Sequence, residues 1–165
     1  MNTKYDEILK FKCPRWNELP EIELYMDQVV NLLDKKLCIL ADDPEKTVTS
    51  TMINNYVKQK IITPPQKKKY DRKHVAYLFI ILLLKKAFSV SEISAFLEHL
   101  NKNENTGEVF DSFCEQIEYC IAMLFGNLEA MPQSNGDDKI TETVAFAFAC
   151  KLYAQILLKK DDNDE

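Results

Sequence analysis

The sequence predicts a mainly helical, all-α fold, and three observations carry that expectation. Only three glycines occur in 165 residues, too few for the glycine turns on which sandwiches, barrels and nucleotide-cradling α/β folds depend. Apolar residues recur at helical spacing along much of the chain, and Thr49, Asp71 and Ser89 each stand where an N-cap is needed. The length suits one domain, or one domain with a helical extension, and buries a core without disulfides or metal.

The elements follow in order. Met26, Val29, Val30, Leu33 and Leu37 share one helical face, so a helix is expected over 26–40, with Pro20 as its earliest start. The stretch ADDPEKTVT over 41–49 reads as a loop. From Thr49 the apolar stripe Met52, Ile53, Tyr56 and Val57 opposes a polar stripe of Thr51, Asn54, Asn55 and Lys58, which predicts a helix of about ten residues. Adjacent prolines forbid a helix across TPPQKKKY, residues 63–70, so that stretch is an extended excursion or small hairpin ending at Tyr70. Asp71 then caps a helix to about residue 87, whose run VAYLFIILLL is apolar on nearly every side and marks the central core element.

Ser89 and Glu92 form a capping box ahead of a helix that turns Val90, Ile93, Phe96, Leu97 and Leu100 inward. A polar linker follows over 101–108, then helices over about 109–125 and 139–159, separated by the turn-rich NLEAMPQSNGDD. The expected organisation is an N-terminal arm (1–25), a helical domain (26–100), a linker (101–108), a C-terminal helical pair (109–160) and an acidic tail (161–165).

The formal charge of −5 is segregated. Residues 58–73 hold seven bases and one acid, whereas 104–118 hold five acids and no base. Five scattered cysteines without CxxC spacing read as thiols in a reducing compartment rather than a disulfide or zinc framework. No charged-then-apolar leader is visible and the most apolar run is ten residues, against the ~20 that cross a bilayer. The expectation is a cytoplasmic protein without a membrane partner. His74 and His99 lack a nucleophile or metal motif nearby, and the pairs Asp42/Asp43 and Asp137/Asp138 sit where aspartate forms turns and caps. Neither an enzyme nor a cofactor is expected.

What remains is a short helix with a polar outer edge, followed by a lysine-rich segment. Asparagine can bond an adenine through donor and acceptor together, and lysine neutralises phosphate. The expected partner is double-stranded DNA, with Thr51, Asn54, Asn55 and Lys58 facing the groove and Lys67, Lys68, Lys69, Tyr70, Arg72 and Lys73 forming a basic wing. The alternative is a non-catalytic helical adaptor whose basic patch docks an acidic protein.

The strings TMINNYVKQKII, TPPQKKKYDRKHV and YLFIILLLKKAFSVSEISAFL resemble the winged helix-turn-helix of the MerR class of transcription regulators over about 26–100. Ile53 and Tyr56 match its recognition helix, Ile61 and Ile62 its apolar pair, Lys68 and Tyr70 its wing. Asn54 replaces an arginine of that class and Lys60 a glycine. A closer similarity, through LPEIELYMDQV and MINNYVKQKI, is to domain of unknown function 1836 of low-GC Gram-positive bacteria. The MerR resemblance implies a transcriptional regulator that dimerises or senses an effector through its C-terminal helices. Phe146, Phe148, Tyr153 and Ile156 are the residues expected at that dimer interface, the alternative being a helical pair that completes the core of the monomer, and an effector is left unspecified.

Overall fold

The computed structural model describes residues 3–42, 47–126 and 138–161. Part of the 41–49 loop, with Asp43, most of the turn-rich stretch after residue 126, with Asp137, and the acidic tail beyond Asp161 lie outside the described residues. The protein is mainly helical: α1 (Thr3–Leu9), α2 (Met26–Leu37), α3 (Ser50–Lys58), α4 (Arg72–Leu84), α5 (Val90–Leu100), α6 (Thr106–Leu124) and α7 (Lys139–Asp161). A small antiparallel sheet joins β1 (Leu24–Tyr25) to β2 (Lys69–Tyr70), with Leu24 opposite Tyr70 and Tyr25 opposite Lys69.

The chain divides into two compact units, residues 14–110 and residues 1–13 with 111–165. The expected N-terminal arm is therefore shared out. Residues 14–25 supply β1 to the first unit, and α1 belongs with the C-terminal helices. The expected linker is also shorter, because α6 begins at Thr106.

In the first unit α4 is the central element, as its composition predicts. Every residue from Val75 to Leu84 is buried, and full burial of each large apolar side chain contributes about 1.5–3 kcal/mol. Its start is set by Asp71, whose carboxylate accepts the His74 backbone N–H at 2.9 Å. The capping box at Ser89 forms as expected, with the Ser89 N–H donating to Glu92 at 2.7 Å and the Glu92 N–H to Ser89 Oγ at 3.3 Å. α5 buries Ile93, Phe96, Leu97 and Leu100, but Val90 faces solvent. The helix expected over 26–40 ends at Leu37 and tightens into a 3-10 turn, Cys38–Leu40, which keeps Leu37 and Leu40 both buried.

Trp16 shows how tightly this unit is closed. Its ring meets Phe110 edge-on at 6.4 Å and lies so close to Gly107 that an added Cβ would stand 2.9 Å from Trp16 Cδ1. Only glycine leaves that ring its place.

In the second unit the Tyr5 ring packs on Phe125 at 4.8 Å and faces Tyr153 at 6.5 Å. The Tyr5 hydroxyl donates to the Phe125 carbonyl at 3.1 Å, and the Cys13 N–H donates to Glu118 at 2.8 Å. The inward side of α7 carries Ala145, Phe148, Ala149, Leu152 and Ile156. By length and composition α7 also reaches the threshold for a bilayer span, which the ten-residue run in α4 does not. Two of the four residues expected at a dimer interface are core residues here: Phe148 is 1% exposed and Ile156 is buried. Tyr153 packs on Phe125 and Tyr5, so Phe146 alone of the four is exposed. The helical period put four residues on one helix without saying which side the rest of the unit would cover.

Candidate nucleic-acid interface

α3 starts as its sequence dictates, with Thr49 Oγ1 accepting the Met52 N–H at 3.3 Å. Ile53 is buried and Met52, Tyr56 and Val57 are half-buried, which leaves Thr51, Asn54, Asn55 and Lys58 exposed along the opposite edge. Nine residues span about 13 Å. The helix ends in a Schellman motif: the Lys60 N–H donates to the Val57 carbonyl at 3.0 Å and the Ile61 N–H to the Tyr56 carbonyl at 3.1 Å. Lys60 takes φ 58° there, the left-handed position where glycine is preferred. A lysine thus takes a position that glycine usually fills.

The segment after α3 is a tight hairpin. Gln66 and Lys69 exchange both backbone bonds, at 3.1 and 2.9 Å, and the two residues between them, Lys67 and Lys68, have φ values of 50° and 65°. Positive φ at both central positions is the pattern of a type I′ turn, which favours Asn-Gly because a side chain there is strained. Both exposed positions instead carry lysine. The hairpin's return strand is β2, held by its pairing with β1.

His74 fastens the base of this hairpin. Its Nε2 lies 3.1 Å from both the Thr63 carbonyl and the Thr63 hydroxyl, and its Nδ1 lies 2.8 Å from Asp71 Oδ1. Bonding to a carbonyl requires a proton on Nε2. The ring therefore ties the start of the hairpin to the cap of α4.

The expected contact residues separate into two groups. Lys67 and Lys68 at the hairpin tip, and Thr51, Asn54, Asn55 and Lys58 on α3, are free to meet a ligand. Lys69 lies with its ammonium 5.5 Å from the Tyr25 ring centre, and Lys73 lies 5.3 Å from that of Tyr77. Both keep exposed or half-exposed side chains while packing on an aromatic face. Tyr70 requires correction: it is 2% exposed, because its place opposite Leu24 turns the ring inward, edge-on to His74 at 5.6 Å. Arg72 is also engaged inward. Its guanidinium lies over Trp16 at 5.4 Å and pairs with Glu21 at 3.2 Å, and its Nε donates to the Pro20 carbonyl at 3.5 Å. Neither residue is placed to lead a surface contact.

Sequence reasoning missed Ser50. Ser50 lines one shallow groove with Lys68, Tyr25 and Asn31, so the start of α3 and the hairpin tip border the same space. Nothing in the residues near Ser50 signals that, since Lys68 comes near Tyr25 only through the pairing of Tyr25 with Lys69.

The chain belongs to the family described as a domain of unknown function, DUF1836, whose model matches residues 14–119. That span contains all of the unit that carries α3 and the hairpin. No curated protein and no solved structure matches the chain.

Proposed function

We propose that the protein is a sequence-specific DNA-binding transcriptional regulator, with α3 as recognition helix and the 63–70 hairpin as a basic wing. The observation that carries the reading is the pairing of an exposed polar edge, Thr51, Asn54, Asn55 and Lys58, with a two-lysine tip held in a strained turn beside it. Strained backbone persists where surroundings over-determine it, and such sites cluster at functional positions. The groove shared by Ser50 and Lys68 brings the two elements to one surface. Asparagines on α3 suit base edges, while the lysines suit phosphates and fix register without reading sequence. The likeness of the strings over 26–100 to the MerR class points the same way.

Such a regulator acts as a homodimer, and Phe146 with Ile140, Leu157 and Leu158, all exposed on α7, is the surface we assign to self-association. Sedimentation equilibrium of the Leu158→Glu variant tests this, with a monomer expected. The regulator itself is tested by selecting genomic fragments with purified protein at about 0.15 M salt, where screening weakens unspecific contacts. A recovered motif whose base preference shifts in Asn55→Ala supports the reading. Recovery of background sequence alone overturns it.

A second reading has one observation in its favour. Ile22 and Tyr25 are 71% and 51% exposed and Tyr25 lies against the hairpin through Lys69, so the basic patch has apolar neighbours suited to docking an acidic protein. Capture of an acidic partner from nuclease-treated lysate, lost in Ile22→Asp, would favour that adaptor.

A further inference from the structure

The C-terminal ends of α2 and α4 and the 3-10 turn between residues 38 and 40 enclose a cleft of about 280 Å³, within the first unit and outside the surface assigned to DNA. Leu37, Leu40, Leu82 and Leu83 form its apolar wall, and Thr47 and Lys85 line it as well. Lys86 and Asp42 also line it. Lys86 has a partner of its own, since its ammonium donates to the Leu40 carbonyl.

Two polar groups in this cleft are poorly served by the protein. Thr47 Oγ1 is fully buried and has no hydrogen-bond partner among the described residues. A buried hydroxyl left in that state costs stability, and native proteins keep few of them without a reason such as a ligand. The Lys85 side chain is half-buried, and the acceptor facing its ammonium is the Met52 thioether at 3.9 Å, a weak one. Among the described residues Lys85 makes no ion pair. Desolvation lowers its pKa accordingly, which is the response of a cation short of compensating charge.

An apolar wall, a cation lacking an anionic partner and a hydroxyl lacking any partner are complementary to one kind of molecule. We propose that this cleft binds a small organic anion with an aliphatic body, whose carboxylate is held by Lys85 and Thr47 while its chain lies along Leu37, Leu40, Leu82 and Leu83. The volume admits on the order of ten non-hydrogen atoms, at about the space one water takes in liquid for each, and lies at the lower end of ligand pockets. Because Lys85 touches Met52 of α3, an occupant that draws its ammonium into the cleft alters a contact on that helix. The binding site itself involves no DNA, so it stands or falls separately from the reading of α3.

The test uses the full chain with ¹³C-labelled leucine and methionine methyls, titrated with octanoate and, in parallel, with octanol. Octanoate is expected to shift the Leu82, Leu83 and Met52 methyls, and to bind at least about tenfold more tightly than octanol, as a hydrogen bond to a charged group requires. Lys85→Met is expected to weaken octanoate by about tenfold or more. Thr47→Val supplies an independent arm: removing an unpartnered hydroxyl raises the melting temperature of the unliganded protein and weakens octanoate. Unmoved leucine methyls, equal affinity for octanol, or unchanged octanoate binding in Lys85→Met would each overturn the proposal. So would a Thr47→Val variant less stable than the parent, because the hydroxyl would then have a partner within the fold.

Discussion

Replacing Lys67 and Lys68 by Asn-Gly separates the two consequences of the strained hairpin. The φ values of 50° and 65° place both lysines in the left-handed region, where a side chain costs roughly 1–2 kcal/mol per residue. Lys68→Gly would remove that cost and Lys67→Asn would reduce it, while the glycine returns about 0.4–1 kcal/mol through a freer unfolded chain. The net expectation is a gain of about 1 kcal/mol. Urea unfolding followed by the fluorescence of the single tryptophan, Trp16, measures it, since Trp16 packs within the same unit. The same variant loses two charges, which lowers the slope of log affinity for DNA against log salt by up to about 1.8. Over a fourfold rise in salt, the affinity loss of the parent should exceed that of the variant by about tenfold. Lys67→Ala with Lys68→Ala is the control, with the same change in slope and no gain in stability. A less stable Asn-Gly variant would refute the strain argument, and an unchanged slope would refute the phosphate contacts.

Four other outcomes are expected. Gly107→Ala drives a Cβ to 2.9 Å from Trp16 Cδ1 and should cost about 1–3 kcal/mol with a shift in Trp16 emission; an unperturbed emission spectrum would contradict the packing. Lys60→Gly at φ 58° should stabilise by up to about 1 kcal/mol, seen as a higher urea midpoint. The bonds from Ser89 hold the Glu92 carboxyl below its ordinary value of 4.5. Its contribution to stability is therefore full at neutral pH and lost as pH falls through that lowered value, and an NMR titration of Glu92 in Ser89→Ala should raise the midpoint only in part, because the Ser89 backbone N–H, the larger cause, survives the substitution. Burial first, then Cys150 and Glu142, push the Cys120 thiol up to about 11, so at about pH 8, near the ordinary thiol range, an alkylating reagent should label the exposed Cys38 well before Cys120, as peptide mapping would show.

The helices were legible because their causes are local. Thr49, Asp71 and Ser89 each cap a helix within three residues of themselves, and the burial of Val75 to Leu84 is written in a run with no polar side. The candidate site was legible as a list of residue types and less so as a surface. Tyr70 and Arg72 sit among the lysines in sequence but turn inward, and Phe148 and Ile156 fell on the covered side of α7. α1 and β1 went unseen: one is seven residues long and the other two, too short for a period to show.

By itself the sequence determined a mainly helical protein, the element that forms its core, and a basic segment beside a short polar-edged helix. These follow from hydrogen bonds and side-chain spacing that span a turn or two of chain. The tertiary structure alone decided that Leu24 meets Tyr70, that Trp16 receives Arg72, and that two consecutive lysines accept a left-handed backbone. Each of these depends on residues far apart in the chain, whose packing together outweighs the local preference of any one of them.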